Sequence, residues 1–175
     1  MKLLFYPNDF LMKSVKPYKF DEHDPVSTEI QMLNLMEKSK GVGLAANQVG
    51  LDASVFTMMK LNGDKIAVFN PVIRGASKET NLGIEGCLSF PALMLNVNRA
   101  NSIAVSYQNK EGTTVNEELH GFDARVFQHE FDHLQGINFV DRVSKLKLDL
   151  ALKKRKKYIK KNFPNAKLKL SLIHI

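Results

Sequence analysis

The chain has a single cysteine, Cys87, in 175 residues, so it cannot close an internal disulfide. A lone thiol suits a reducing compartment and points to a cytoplasmic protein. No run of 18 or more apolar residues occurs, so no membrane-spanning helix is expected. Residues 1–9 begin apolar but break at Pro7, too early for the apolar core of a secretory leader. No repeat, linker or second domain is visible, and the length is that of one domain with one sizeable core. Acidic residues are nearly missing from the C-terminal stretch. Residues 1–141 carry 13 Lys/Arg against 17 Asp/Glu, whereas residues 142–175 carry 12 against 1. The net charge of +7 therefore belongs to the tail, and a polyanion contact is to be sought there. The acidic body excludes a broad nucleic-acid face, for DNA in particular.

What is present is chemistry for a metal. In Gln128-His129-Glu130-Phe131-Asp132-His133 the two histidines stand at i and i+4. On a helix both rings share one face and can chelate one ion. Glu130 lies off that face, where a carboxylate can reach a water on the metal without becoming a ligand. Apolar residues at 122, 126, 127 and 134 predict that the helix is buried along one side. The competing reading is an amphipathic helix that holds two histidines by chance.

A catalytic site of this type needs a third protein ligand and an open position. The long protease motif H-E-x-x-H-x-x-G-x-x-H is matched as far as Gly136, but Phe139 stands where the third histidine belongs. No glutamate follows Glu130, which removes the other protease arrangement. Asp141 and Asp149 remain as weak candidates. Cys87 is the alternative, since a thiolate beside two imidazoles suits zinc, iron(II), cobalt or nickel. A lone cysteine can equally be a buried, inert thiol.

The remaining elements follow from local signals. Asp24-Pro25 predicts a helix start, and Val26, Ile30, Leu33 and Met36 recur at helical spacing to about Lys38. The stretch Gly41-Val42-Gly43-Leu44-Ala45-Ala46 fits the dinucleotide pattern G-x-G-x-x-G/A. That pattern needs a strand before it and a helix after it. Here a helix precedes, and Asn47-Gln48-Val49-Gly50 does not read as a helix start, so the nucleotide reading is rejected. The glycines suggest backbone close to a ligand. Residues 54–59 and 65–69 read as a hairpin around Asn62-Gly63, with Pro71 ending its second strand. Residues 102–107 and 113–119 read as another. Ser144 is a candidate cap for a last helix carrying the pairs Leu146/Leu150 and Leu148/Leu152. Then come Lys153, Lys154, Arg155, Lys156, Lys157, Lys160 and Lys161. If the leucines alone dock this helix, ending the chain after Leu152 leaves the body intact. From Lys167 to Leu172 the alternation is strand-like. The expected class is α+β, with antiparallel strands wrapped around a central metal-binding helix and a C-terminal basic helix.

Three motifs taken together are specific. Gly41-Val42-Gly43-Leu44-Ala45-Ala46-Asn47-Gln48, Glu85-Gly86-Cys87-Leu88-Ser89 and Gln128-His129-Glu130-Phe131-Asp132-His133 resemble, in order and spacing, the signatures of the peptide deformylase family. The resemblance spans roughly residues 1–145, the expected catalytic body, with residues 146–175 as a helix and tail of the same domain. It implies a metal held by Cys87, His129 and His133, iron(II) in the cell, and removal of formyl groups from N-formylmethionyl peptides with Glu130 as acid/base. It implies Gln48 and the Leu88 N–H as oxyanion donors, and Val42, Gly43 and Gly86 as binders of the peptide main chain. It also implies an apolar methionine pocket, for which Phe122 and Val126 are wall candidates, and ribosome docking through the basic run. Where some members carry an arginine after this second motif, this chain has Ala92-Leu93-Met94-Leu95, an apolar stretch. A zinc endopeptidase and a non-enzymatic RNA-binding protein are the competing classes.

Overall fold

Residues 1–162 are described by the structure, a computed structural model; the alternation from Lys167 to Leu172 lies outside them. Helix α1 (Pro25–Lys38) begins where expected. The Asp24 carboxylate accepts from the N–H groups of Val26 and Ser27, and Pro25 takes the first turn, where an N–H is not needed. Its core face is partly rotated from the expected set at 26, 30, 33 and 36. Met36 is buried and Leu33 packs partly on the core, but Val26 and Ile30 are exposed, and Thr28 and Met32 are buried instead. The Tyr18 and Thr28 hydroxyls lie 3.0 Å apart under this face.

Strands β1 (Gly43–Ala45), β2 (Val55–Met59), β3 (Lys65–Ala76), β4 (Thr80–Cys87), β5 (Phe90–Ala100), β6 (Ser102–Gln108) and β7 (Thr114–His120) follow. Five form an antiparallel sheet in the order β1-β2-β3-β6-β7, and among the described residues β4 pairs only with β5. Both expected hairpins form, but Pro71 does not end β3. The strand runs to Ala76, and the register against β6 shifts between Phe69 and Val72. A proline has no N–H for the ladder, and the irregularity gives it a place that needs none. Beside it Asn70 takes φ 48° and pairs through its side chain with both the N–H and the carbonyl of Tyr18. The stretch Ala46–Val49, not expected to be helical, is a 3-10 turn closed by Gly50 at φ 77°.

Helix α2 (Gly121–Leu134) lies against β1, β2, β5, β6 and β7. Phe127 is fully buried and meets Phe56 edge-on, ring centroids 5.0 Å apart; truncating such a ring costs about 3–5 kcal/mol. Phe122 departs from the expected buried set and is 39% exposed. Past the helix, Gly136 at φ 74° lies so close to Met12 that a Cβ would stand 2.7 Å from its carbonyl oxygen.

Helix α3 (Lys145–Asn162) starts at Ser144, whose hydroxyl accepts from the Lys147 N–H at 3.4 Å. Leu148, Ala151 and Leu152 pack on a second core of Phe90, Leu93, Leu95, Val97 and Phe139. Leu146 and Leu150 are exposed. Docking continues past Leu152, because Arg155 and Ile159 are buried. Ending the chain after Leu152 would therefore remove packed residues, contrary to the expectation from the leucines alone. No helix among the described residues is long and apolar enough to cross a membrane.

Candidate metal centre and substrate cleft

The two sheets bring the three motifs to one place. Cys87 ends β4, where the register to β5 slips. His129 and His133 share one face of α2, with ring centroids 5.0 Å apart. One potential ligand atom from each of the three lies within 4.8 Å of the others. Cys87 Sγ is 3.2 Å from His133 Nε2. His129 Nδ1 faces the Glu85 carboxylate at 2.9 Å, leaving Nε2 toward the cysteine side. A sulfur and two imidazole nitrogens, one imidazole backed by a carboxylate, fit a first-row divalent ion. The weak candidates do not join. Asp141 accepts from the Asn138 N–H, and Asp149 is exposed on α3.

Behind His129 lies a buried ion network that the sequence reading did not assign. Glu85 accepts from Arg99 Nε and Nη2, both at 3.0 Å, and from Arg125 Nη1 at 2.7 Å. Arg99 and Arg142 both pair with Asp132, the acidic residue inside the histidine motif. Burial pushes the Glu85 carboxyl up, but hydrogen bonds from His129 and Arg99 outweigh it and hold it down at about 2. Burial likewise pushes His129 down, and its bonds to Cys87 and Glu85 override this, raising it to about 10. His133 is held well below its ordinary value by burial and then by the His129 charge.

Glu130 sits beside the cluster, fully within the protein. Its Oε2 has no hydrogen-bond partner among the described residues. Burial raises its pKa to about 7, the range that suits a group exchanging protons near neutrality. Gly43 makes room for it, since a Cβ there would collide with the carboxylate. Gln48 is buried. Its Oε1 accepts from the Ala45 N–H at 2.8 Å, which points Nε2 at Cys87 Sγ (3.3 Å) and Ser89 Oγ (3.0 Å). Asn47, also missed in the sequence, donates to the His133 carbonyl and ties the Gln48 turn to α2.

The family model for polypeptide deformylase matches residues 1–149. A peptide deformylase of Thermotoga maritima is 45% identical over 154 residues, 87% of this chain and 93% of the relative. The chain belongs to the peptide deformylase family. Among solved structures, a Synechococcus elongatus peptide deformylase in complex with actinonin aligns with a TM-score of 0.83 and 33% identity, over 89% of this chain and 88% of that one. A Met-Ala-Ser-bound deformylase from Acinetobacter baumannii aligns with a TM-score of 0.76 and 32% identity, over 82% and 98%. Members are metal-dependent hydrolases that remove the formyl group from N-formylmethionyl peptides, so this chain is an enzyme of that class.

The cluster opens on a cavity of about 610 Å³. Val42, Gly43, Gly86, Leu88, Phe122 and Val126 all line it, as do Gln48, Cys87, His129 and Glu130. On one side runs β1, an edge of the five-stranded sheet, and on the other β4, which among the described residues has a partner on one side only. Of the apolar stretch after the cysteine motif, Leu93 and Leu95 face the second core. Ala92 reaches the cavity and Met94 is exposed, so of this stretch Ala92 alone is part of the cavity wall.

Proposed function

We propose that Cys87, His129 and His133 hold one divalent ion and that Glu130 moves the proton in deformylation. When bound, such an ion lowers the pKa of water and polarises a carbonyl. Glu130 takes the proton of the attacking water and delivers it to the departing amine. Gln48 Nε2 and the Leu88 N–H donate to the oxygen of the formyl group as negative charge builds on it. Val42, Gly43 and Gly86 hold the peptide main chain as an added strand between the edges of β1 and β4. Phe122 and Val126 wall the pocket for the methionine side chain. The Met-Ala-Ser of the Acinetobacter baumannii structure has the form of a deformylated product, and this chain is assigned substrates of the same kind.

The observation that carries this reading is the buried Glu130 carboxylate, with one oxygen unpartnered among the described residues, beside a three-donor metal cluster in the same cleft. The donor set accepts several first-row metals; family resemblance favours iron(II) in the cell, with zinc, nickel or cobalt able to substitute. Residues 1–145 are assigned as the catalytic body and residues 146–175 as a helix and tail of the same domain. The setting is the cytoplasm. Of the seven cations between Lys153 and Lys161, Arg155 is buried and the six lysines are exposed; these six are assigned to ribosome docking. Protein purified without oxygen, analysed for metal and assayed on matched formylated and free peptides, tests the reaction. Formate release from the formylated peptide, with loss of rate after exposure to air, is expected. Cleavage of a peptide bond in the free peptide would support an endopeptidase instead.

A further inference from the structure

The C-terminal helix reaches the wall of the cleft. Arg155 of α3 is 6% exposed, and its Nε donates to the Pro91 carbonyl at 2.8 Å. Pro91 and Ala92 both line the cavity. Ala92 stands at φ 60°, a left-handed conformation that a residue with a Cβ holds only when its surroundings impose it. It lies in the bulge where the register of β4 to β5 slips. Leu148, Ala151 and Leu152 of α3 pack on the core that holds Phe90, Leu93 and Leu95, on either side of residues 91 and 92, a core that Tyr6 and Phe139 also join, and Arg155 holds the Pro91 carbonyl. Placing a guanidinium in this seam carries a desolvation cost that lowers its pKa. An outward lysine of the same helix would bear no such cost, so the geometry has a reason beyond solubility.

We propose that Arg155 is a positioning residue for the substrate: it holds residues 91 and 92 in the conformation that shapes the cleft, and so makes α3 part of the peptide-binding site. This rests on the cavity being the peptide site. Arg155→Met keeps the bulk of the stem and removes the donor. The Michaelis constant for a formyl-Met-Ala-Ser peptide should then rise about tenfold, with kcat nearly unchanged, equivalent to about 1.4 kcal/mol and in the range for a buried acceptor left unpaired. Calorimetric affinity for Met-Ala-Ser should fall by the same factor, with metal content at the wild-type level. Arg155→Lys, which restores one donor, should recover most of the affinity. Lys147→Met, at an exposed position of the same helix outside the docking run, should leave the constant unchanged. A lowered Tm in Arg155→Met with unchanged KM and product affinity would overturn the proposal, as would an equal rise in Lys147→Met. Should Arg155→Met fail to melt cooperatively, Arg155→Gln carries the same thresholds. Absence of deformylation by the wild-type protein would overturn the underlying reading instead.

Discussion

Gly43→Ala offers a test of the acid/base assignment without touching any titratable group. A Cβ at Gly43 would overlap the Glu130 carboxylate, standing 2.7 Å from its Cδ and 2.9 Å from its Cγ. The backbone of β1 has little freedom to withdraw, because Gly43 is paired with Met58 across the ladder. Helix α2 cannot retreat either, being packed through Phe127 and Ala124, both fully buried. The side chain that yields is Glu130, and the shift needed is about 1 Å, a displacement that commonly costs about 10²-fold in rate. Complete loss of a general base costs about 10²–10⁴-fold, so the expected loss of kcat corresponds to about 3–5 kcal/mol of activation free energy. Alanine is otherwise easier to hold in a strand than glycine, and none of the three metal-binding side chains is displaced, so metal content should stay at one ion per chain. The assay is steady-state deformylation of a formyl-Met peptide beside elemental analysis and a thermal melt. Adding Glu130→Gln to Gly43→Ala should cost little more than Glu130→Gln alone, since both act through one group. Wild-type turnover by Gly43→Ala, or full additivity in the double variant, would refute the reasoning.

The neighbouring groups give separable outcomes. Glu130→Gln should keep its metal and lose about 10²–10⁴-fold in turnover; an empty site by elemental analysis would make Glu130 a ligand. Gln48→Leu should lower kcat by about 10²–10³-fold, as for other lost oxyanion donors, with metal and melting little changed; a normal kcat would return Gln48 to a structural role at the cysteine. Glu85→Ala frees His129 Nδ1 and should weaken metal affinity by about 10–100-fold in chelator competition; unchanged affinity would sever the carboxylate from the site. Changing the six exposed lysines of residues 153–161 to glutamine should leave short-peptide turnover intact and reduce ribosome association. Wild-type association should itself fall steeply with salt as counterions are no longer released, and equal association by both forms would reduce the lysines to a solvated helix face.

The metal helix was legible because its signal is local. An i,i+4 histidine pair needs only helical geometry, and the helix forms over Gly121–Leu134 as the apolar spacing predicts. The proposed third ligand was not legible from spacing, since Cys87 reaches the histidines only through the β4–β5 pair. One strand of that pair carries an inverted pattern. In β4 Glu85 is buried while Leu82 and Ile84 are exposed, so the usual rule of apolar residues inside finds no strand there, and in β5 the inward series Leu93, Leu95 and Val97 continues into a buried Arg99. Reading Glu85 and Arg99 as partners would require knowing that they lie on paired strands, where Glu85 is opposite Leu95. The rotated face of α1 has a similar cause. Met32 and Met36 are flexible enough to fill the space beneath the sheet, and of the periodic series Leu33 and Met36 reach the core while Val26 and Ile30 face outward. Pro71 misled because its usual meaning in a strand ignores a bulge.

The buried ions make more sense as a positioning device than as a source of stability. Glu85 and Asp132 are nearly inaccessible, and they are matched by Arg99, Arg125 and Arg142. Replacing such a set by apolar side chains of equal volume is often neutral or stabilising, whereas removing one member leaves a buried charge and costs about 3–5 kcal/mol. What apolar packing could not do is fix direction. Arg125 donates to Glu85, to the Val97 carbonyl and to the Asn81 carbonyl, and so ties both strands of the small sheet to α2. Gly83 admits its guanidinium, since a Cβ there would stand 2.7 Å from the central carbon. Arg99 joins Glu85 to Asp132, one residue before His133. The network therefore sets the strand that delivers Cys87 against the helix that delivers both histidines. A metal site whose ligands come from two separate elements is only as well formed as the register between them, and that register is carried here by directional bonds to charged groups.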